Sequence, residues 1–204
     1  MSIDVHEIYK NWADFFTKNK DNLIELDSVA GDGDLGLVMY DGFTTLYKDV
    51  ETNPESDLGK LFYRTGKLFN SVASSSMGTL ISVGLMTVGK KLKGKTELEK
   101  SDLITILEGL AEGVQSIGKA EEGEKTFLDA IYPAVRTAKA NIDKTEKEMM
   151  QQAVKAAEDG VEKAKKMVAK HGRIAFRQEA SVGITDPGTV AALLIVEGIE
   201  KAIK

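Results

Sequence analysis

Asp27, Asp32 and Asp34 fall within the stretch Leu26-Asp27-Ser28-Val29-Ala30-Gly31-Asp32-Gly33-Asp34-Leu35-Gly36, which holds three glycines and neither Lys nor Arg. Ionised carboxylates a few ångströms apart repel and raise each other's pKa, so gathering three of them calls for a cation in their midst. Glycines at alternate positions let the backbone turn in ways that a Cβ forbids, which would aim alternate carboxylates at one point. An all-oxygen donor set suits a hard cation, Mg2+ or Ca2+, over zinc. A plain polar turn between helices is the structural alternative. An EF-hand is excluded, because its twelfth position needs Glu and here it is Phe43 or Val38, counting from Asp32 or Asp27. The pattern therefore implies an Asp-rich loop holding Mg2+, the usual companion of a di- or triphosphate.

Three further loops carry residues suited to a phosphate or nucleotide. Ser74-Ser75-Ser76-Met77-Gly78 opens a helix, so its N–H groups and hydroxyls could meet phosphate oxygens, with ordinary N-capping as the alternative. Gly118 to Thr126 looks like a phosphate loop, but one residue too many separates Gly123 from Lys125 and no strand precedes it. It could still line a nucleotide. Arg173 is a permanent cation in a loop, able to reach a phosphate or stack on a base. Asp186-Pro187-Gly188 is accounted for as a helix start, with any ligand role additional. His6 and His171 are isolated, and neither is taken as catalytic.

The elements that must position these loops read as helices. Apolar residues recur at helical spacing from Ile3 to Phe16, which predicts a first helix ending near Asn19 before a short apolar piece enters the Asp loop. Further helices are predicted from Leu37 to before Asn53-Pro54, from Leu58 to Phe69, from Thr79 to Val88, from Leu103 to Ile117 and from Phe127 to Ala138 with a kink at Pro133. Thr145 to Lys170 reads as one long charged helix whose seam is Met150, Val154, Ala157, Val161, Ala164 and Val168. A long loop follows to Gly183, and the last helix starts at Asp186-Pro187. No alternation demands a sheet. The fold class is all-α, a single domain over residues 1–204 arranged as an eight-helix antiparallel up-and-down barrel or bundle. In such a bundle alternate loops share an end. By that parity the Asp loop, Ser74 to Gly78, Gly118 to Thr126 and Arg173 to Gly188 gather at one end, leaving plain turns at the other.

Composition narrows the function. A net charge of -5 from 27 basic and 32 acidic residues opposes a nucleic-acid binder. With no cysteine there is no disulfide, zinc thiolate or thiol nucleophile. The longest strictly apolar run, Val190 to Val196, is too short to cross a membrane, and the N-terminus carries no secretory pattern, so a cytoplasmic location is expected.

Taken together, Asp27…Gly31-Asp32-Gly33-Asp34-x-Gly36, the small residues before Gly78, Gly118-Lys119-Ala120-x-x-Gly123-x-Lys125-Thr126-x-x-Asp129, Gly172-Arg173 and Asp186-Pro187-Gly188 resemble the DhaL family, the nucleotide-binding subunit of dihydroxyacetone kinases. The likeness spans the chain and keeps the motif order. It implies an eight-helix barrel in which Asp27, Asp32 and Asp34 hold two Mg2+ ions that bridge the phosphates of ADP or ATP. It also implies that Leu35, Gly36, Leu37 and Val38, then Ser75, Ser76, Met77 and Gly78, then Gly118 and Thr126 lie along the nucleotide, while Arg173, Asp186, Pro187 and Gly188 close its pocket. In the family the ketose is bound covalently by a separate DhaK subunit. A DhaM phosphotransferase protein recharges bound ADP in the phosphoenolpyruvate-dependent branch, and ATP exchanges in the other. No nucleophile or base is then expected here, because phosphoryl transfer is served by positioning and charge neutralisation. Many members have His after the third Asp and Asn three residues on. Leu35 and Val38 stand there instead, closer to a Gly-Asp-Gly-Asp-Leu-Gly variant branch that implies a related ketose such as erythrulose. A non-catalytic paralogue, binding Mg-nucleotide as a sensor or regulatory partner, is the alternative.

Overall fold

The computed structural model describes residues 3–204, and these are helical almost throughout. The α-helices are α1 (Val5–Ala30), α2 (Leu35–Thr52), α3 (Leu58–Val72), α4 (Ser76–Lys91), α5 (Lys100–Gly118), α6 (Leu128–Ala140), α7 (Glu146–Ala164) and α8 (Pro187–Lys201), with a 3-10 segment over Arg173–Ser181 between the last two. Among the described residues the only β pairing is an isolated bridge between Ile3 and Leu98. Each helix packs on the next around the molecule, and α8 returns to α1, so the helices close a ring. Short connections set neighbours antiparallel. No described helix is long and apolar enough to cross a membrane.

The ring closes over a continuous apolar core. Tyr9, Trp12, Phe16, Phe43, Phe62 and Phe69 fill the part between α1, α2 and α3, and Phe16 stacks on Phe43 at 4.6 Å between centroids. Two polar bonds fix this part: Tyr9 Oη with Thr65 Oγ1 at 2.8 Å, and Trp12 Nε1–H donated to the Ile195 carbonyl at 2.9 Å. The second bond ties α1 to α8, where Gly198 leaves the room that the Trp12 ring occupies.

The helices differ from their sequence-based limits at informative places. α1 does not stop near Asn19. Nothing between Thr17 and Ala30 breaks a helix, the polar residues there lie on its outer side, and Leu23 is fully buried. Asp27 therefore stands in the last turn of α1 and not in a loop. α4 runs past Val88 to Lys91, so Gly89, expected in a loop, is helical and pressed against Gly59 of α3. α7 ends at Ala164 instead of Lys170. The chain turns there and carries the carbonyls of Lys165 and Met167 to 3.4 Å from Lys125 Nζ. Its buried seam keeps Met150, Ala157, Val161 and Ala164 and adds Met149 and Ala153, while Val154 and Val168 are half-buried. α6 continues through Pro133, and the Asp129 carbonyl that this proline leaves without its helical donor lies against the bare Cα of Gly160 in α7.

Candidate functional site

The acidic trio converges. Asp27 comes from the end of α1, Asp34 is the residue before α2, and Asp32 lies between them; a carboxylate oxygen from each sits within 4.8 Å of the others. Three local features build this turn. Asp27 Oδ2 accepts the N–H of Leu35 at 3.2 Å. Gly33 adopts φ 75°, in the left-handed region that favours glycine. Gly36 has no Cβ, and one would strike the Lys20 carbonyl and Ile24, so α1 and α2 cross closely under the turn. Leu35 and Gly36 are consequently buried, Val38 is half-buried and Leu37 is exposed. Burial, and then the charges of Asp32 and Asp27, push the Asp34 carboxyl above its usual range, with Arg173 acting against them.

Arg173 is the cation that reaches this trio, its Nη2 lying 2.7 Å from Asp32 Oδ2. It starts the 3-10 segment, and four residues on Arg177 donates to the Val29 carbonyl, so two arginines lay the segment across the acidic turn. Gln178 at φ 48° and ψ -127° divides the segment into two turns, and Phe176 at its outer edge is 90% exposed.

The second glycine-bearing loop is built differently. Lys125, in the left-handed region at φ 61°, is 1% exposed. Its ammonium donates to the Ser181 carbonyl at 2.7 Å and reaches those of Lys165 and Met167 at 3.4 Å. It thus staples the segment before α8 to the α5–α6 loop, and burial lowers its pKa. Asp129 folds the loop on itself by accepting the N–H groups of Gly123 at 2.5 Å and Thr126 at 2.7 Å. Thr126 Oγ1 accepts the Leu128 N–H at 3.3 Å at the start of α6. Glu124 binds the Glu121 N–H, His171 and Lys170, which hold its carboxyl down to about 2. Asp186 caps α8 by accepting the Thr189 N–H at 2.7 Å; burial pushes its carboxyl up to about 7, against the pull of that N–H and of Lys125.

The remaining sequence-predicted residues join these loops. Ser75 caps α4, its Oγ accepting the Gly78 N–H at 3.0 Å, and a Cβ at Gly78 would run into the Ala73 carbonyl. Ser76 and Met77 open the helix, where the first N–H groups have no intrahelical acceptor. Met77 Cε and the Phe127 backbone lie 3.3 Å from where Gly188 would carry a Cβ, and Leu80 of α4 lies equally close to Gly118. Ser75 to Gly78, Gly118 to Phe127 and Asp186 to Gly188 therefore meet one another, while Arg173 and Arg177 join the acidic turn to the segment that Lys125 anchors. Lys125 and Asp129 enter the sequence reading as motif positions without a role, and Glu124 and Arg177 enter it with none either. For Lys125 the signal was a lysine inside a Gly- and Thr-bearing loop with an acid four residues on, which a solvated loop shares.

Three carboxylates in one place, partly paired with an exposed cation and repelling one another, form an oxygen donor set that could hold Mg2+. The N-terminus of α4 offers N–H groups that suit an anion.

Residues 29–201 match the family model described as the DAK2 domain. The chain is 26% identical over 200 residues to the "PEP-dependent dihydroxyacetone kinase, ADP-binding subunit DhaL" of Escherichia coli, covering 95% of each protein. It is 30% identical over 195 residues to the "PEP-dependent dihydroxyacetone kinase 2, ADP-binding subunit DhaL" of Listeria innocua, covering 91% of this chain and 89% of that one. Among solved structures, a dihydroxyacetone kinase from C. freundii in complex with AMP-PNP and Mg2+ shares the fold at a TM-score of 0.75 and 24% identity. That alignment takes in 96% of this chain and 33% of the longer one.

Proposed function

Since the chain belongs to the DAK2-domain family of dihydroxyacetone kinase ADP-binding subunits, we propose that it presents Mg-nucleotide to a ketose held on a separate DhaK-type subunit, in the cytoplasm where ADP and ATP are found. The observation that carries this reading is the convergence of Asp27, Asp32 and Asp34 within 4.8 Å at the end of the ring where the Gly- and Ser-bearing loops also meet. These three residues would hold Mg2+, two ions on the family pattern, which when bound neutralises phosphate charge.

The chain's own residues do the rest by position. The N–H groups of Ser76 and Met77 at the head of α4 bind phosphate oxygens, while Ser75 caps the Gly78 N–H beside them. Gly118 and Thr126, with Leu37 and Val38, border the nucleotide. Asp186, Pro187 and Gly188 fix the start of α8 against Met77 and so hold the phosphate-facing backbone in place. Arg173 exchanges its Asp32 partner for phosphate charge and shields the donor from water. Transfer of the terminal phosphoryl group to a ketose hydroxyl then needs positioning and electrostatics, with no covalent step on this chain. Leu35 and Val38 have no side-chain donor for a phosphate, and the ketose, dihydroxyacetone or a relative such as erythrulose, is separated by the experiment below. Donation by bound ADP recharged through a DhaM-type protein, or by exchanging ATP, is separated by the experiment below.

Titration calorimetry with ADP, with and without Mg2+, is expected to show metal-dependent binding that Asp32→Asn abolishes. Phosphoryl transfer is then followed with dihydroxyacetone and erythrulose, a purified DhaK-type partner, and either ATP or phosphoenolpyruvate plus its phosphotransferase proteins. Metal-independent ADP binding overturns the site. Tight Mg-ADP binding with no transfer under either donor makes the chain a nucleotide sensor.

A further inference from the structure

A second surface, away from the acidic turn, gathers cations that the nucleotide reading does not use. Between α3 and α4 lies a groove of ≈ 440 Å³ lined by Gly59, Lys60, Tyr63, Arg64, Lys67, Gly89, Lys90 and Lys93. Gly59 and Gly89 make it: each leaves no room for a Cβ beside the other's carbonyl, so the helices touch and their flanking side chains rise on both sides of one shallow trough. No carboxylate lines it. Arg64 is engaged by Asp49 at 3.0 Å and by the Asn53 carbonyl at 2.7 Å. Among the described residues, Lys60, Lys67, Lys90 and Lys93 have no carboxylate within 4.0 Å. Tyr63 is 39% exposed in the middle, with Lys67 Nζ 5.0 Å from its ring centroid.

Four lysines kept together, none with a carboxylate in ion-pairing range, repel one another. They stand on a chain whose net charge is -5, so this groove is a positive trough on an otherwise acidic body. Lys60, Arg64 and Lys67 are strung along about 10 Å of helix at the usual rise per residue, and so do not converge on one point as a single phosphate requires. An extended anion fits that spacing, and the exposed ring at its centre adds an apolar contact. A nucleic-acid duplex would meet the acidic remainder of the surface.

We propose that the α3–α4 groove docks an acidic segment of another protein, laid along α3 with an aromatic or aliphatic side chain on Tyr63. The lysines steer and orient this partner, whose charge the rest of the molecule repels. The surface is separate from the nucleotide loops: Lys60 and Lys93 lie where α3 begins and after α4 ends, whereas the Ser75 loop joins the opposite ends of the same two helices.

The test is fluorescence anisotropy in 150 mM salt with a labelled glutamate-rich peptide carrying one central phenylalanine, and with the same peptide carrying alanine there. The phenylalanine peptide is expected to bind about fivefold more tightly. Tyr63→Ala should erase that difference. Lys60→Glu with Lys67→Glu should weaken binding at least about tenfold, while Lys18→Glu on α1 changes it less than twofold and all variants keep wild-type melting and Mg-ADP affinity. Equal affinity for the two peptides, or equal losses from Lys18→Glu and the groove reversals, overturns the proposal. So does tighter groove-dependent binding of a DNA duplex, or self-association in sedimentation that the groove reversals remove.

Discussion

The acidic turn of Asp27, Asp32 and Asp34 and the buried cluster of Lys125, Asp129 and Asp186 use the same residue types in the same kind of glycine-bearing loop, yet they treat charge in opposite ways. In the turn, Asp32 and Asp34 are exposed, the carboxylates face one another, and Arg173 pairs with Asp32 from a side chain that is itself 67% exposed. In the cluster, Lys125 and Asp129 are 1% and 3% exposed, and carbonyls and N–H groups surround both. A carboxylate group left short of cations is ready for a ligand. A lysine saturated by backbone oxygens is a brace.

That contrast breaks most readily at Lys125. Lys125→Met leaves carbonyls of Ser181, Lys165 and Met167 without their donor, and is expected to lower stability by about 3 kcal/mol, read by urea unfolding. A wild-type midpoint would mean that the cluster is no brace. Asp34→Asn sharpens the other side. It should reduce Mg-dependent ADP affinity at least about a hundredfold, some ~2.7 kcal/mol, while stability stays level or rises because repulsion from Asp32 and Asp27 is relieved. Loss of stability in this variant would make the trio structural.

Acid should separate the regions next. Glu124 holds Lys170 and His171 with a carboxyl lowered to about 2 from an ordinary 4.5. A depressed folded-state value contributes stability that is present above about pH 4.5 and lost as pH falls through about 2. Pepsin cleavage near Phe176, normalised to an unfolded substrate at each pH, should therefore rise progressively as pH falls from about 4.5 towards about 2. Glu124→Gln should be cleaved rapidly even at pH 5. Last and smallest, Arg173→Ala removes an exposed pair, so melting should move by less than about 1 kcal/mol, with a several-fold loss of Mg-ADP affinity in calorimetry. An unchanged affinity would confine Arg173 to holding its segment.

Much of the fold was legible because periodicity reports which face of a helix is buried. Leu103 to Ile117, Leu58 to Phe69 and the Asp186-Pro187 start all lie in helices where spacing and capping chemistry put them, although Ile117 at the end of its seam is exposed. α1 escaped because the polar run from Thr17 to Asn22 resembles a terminus when its outward face is unknown. α7 escaped for the reverse reason: its heptad-like pattern continues to Val168, but Lys125 draws the chain out of the helix after Ala164.

By itself the sequence determined that the chain is helical, that its acids fall close enough to share a cation, and that the loops richest in glycine and serine alternate along it. These are local properties, set within a few residues by propensity, spacing and charge. Only the closed ring decided which charges find partners. Lys125 meets carbonyls 40, 42 and 56 positions away, and Arg177 meets Val29 across 148. Contacts of that range depend on how helices are stacked in space, because compensation of a charge is a property of its neighbours and a side chain does not carry its neighbours in its own identity.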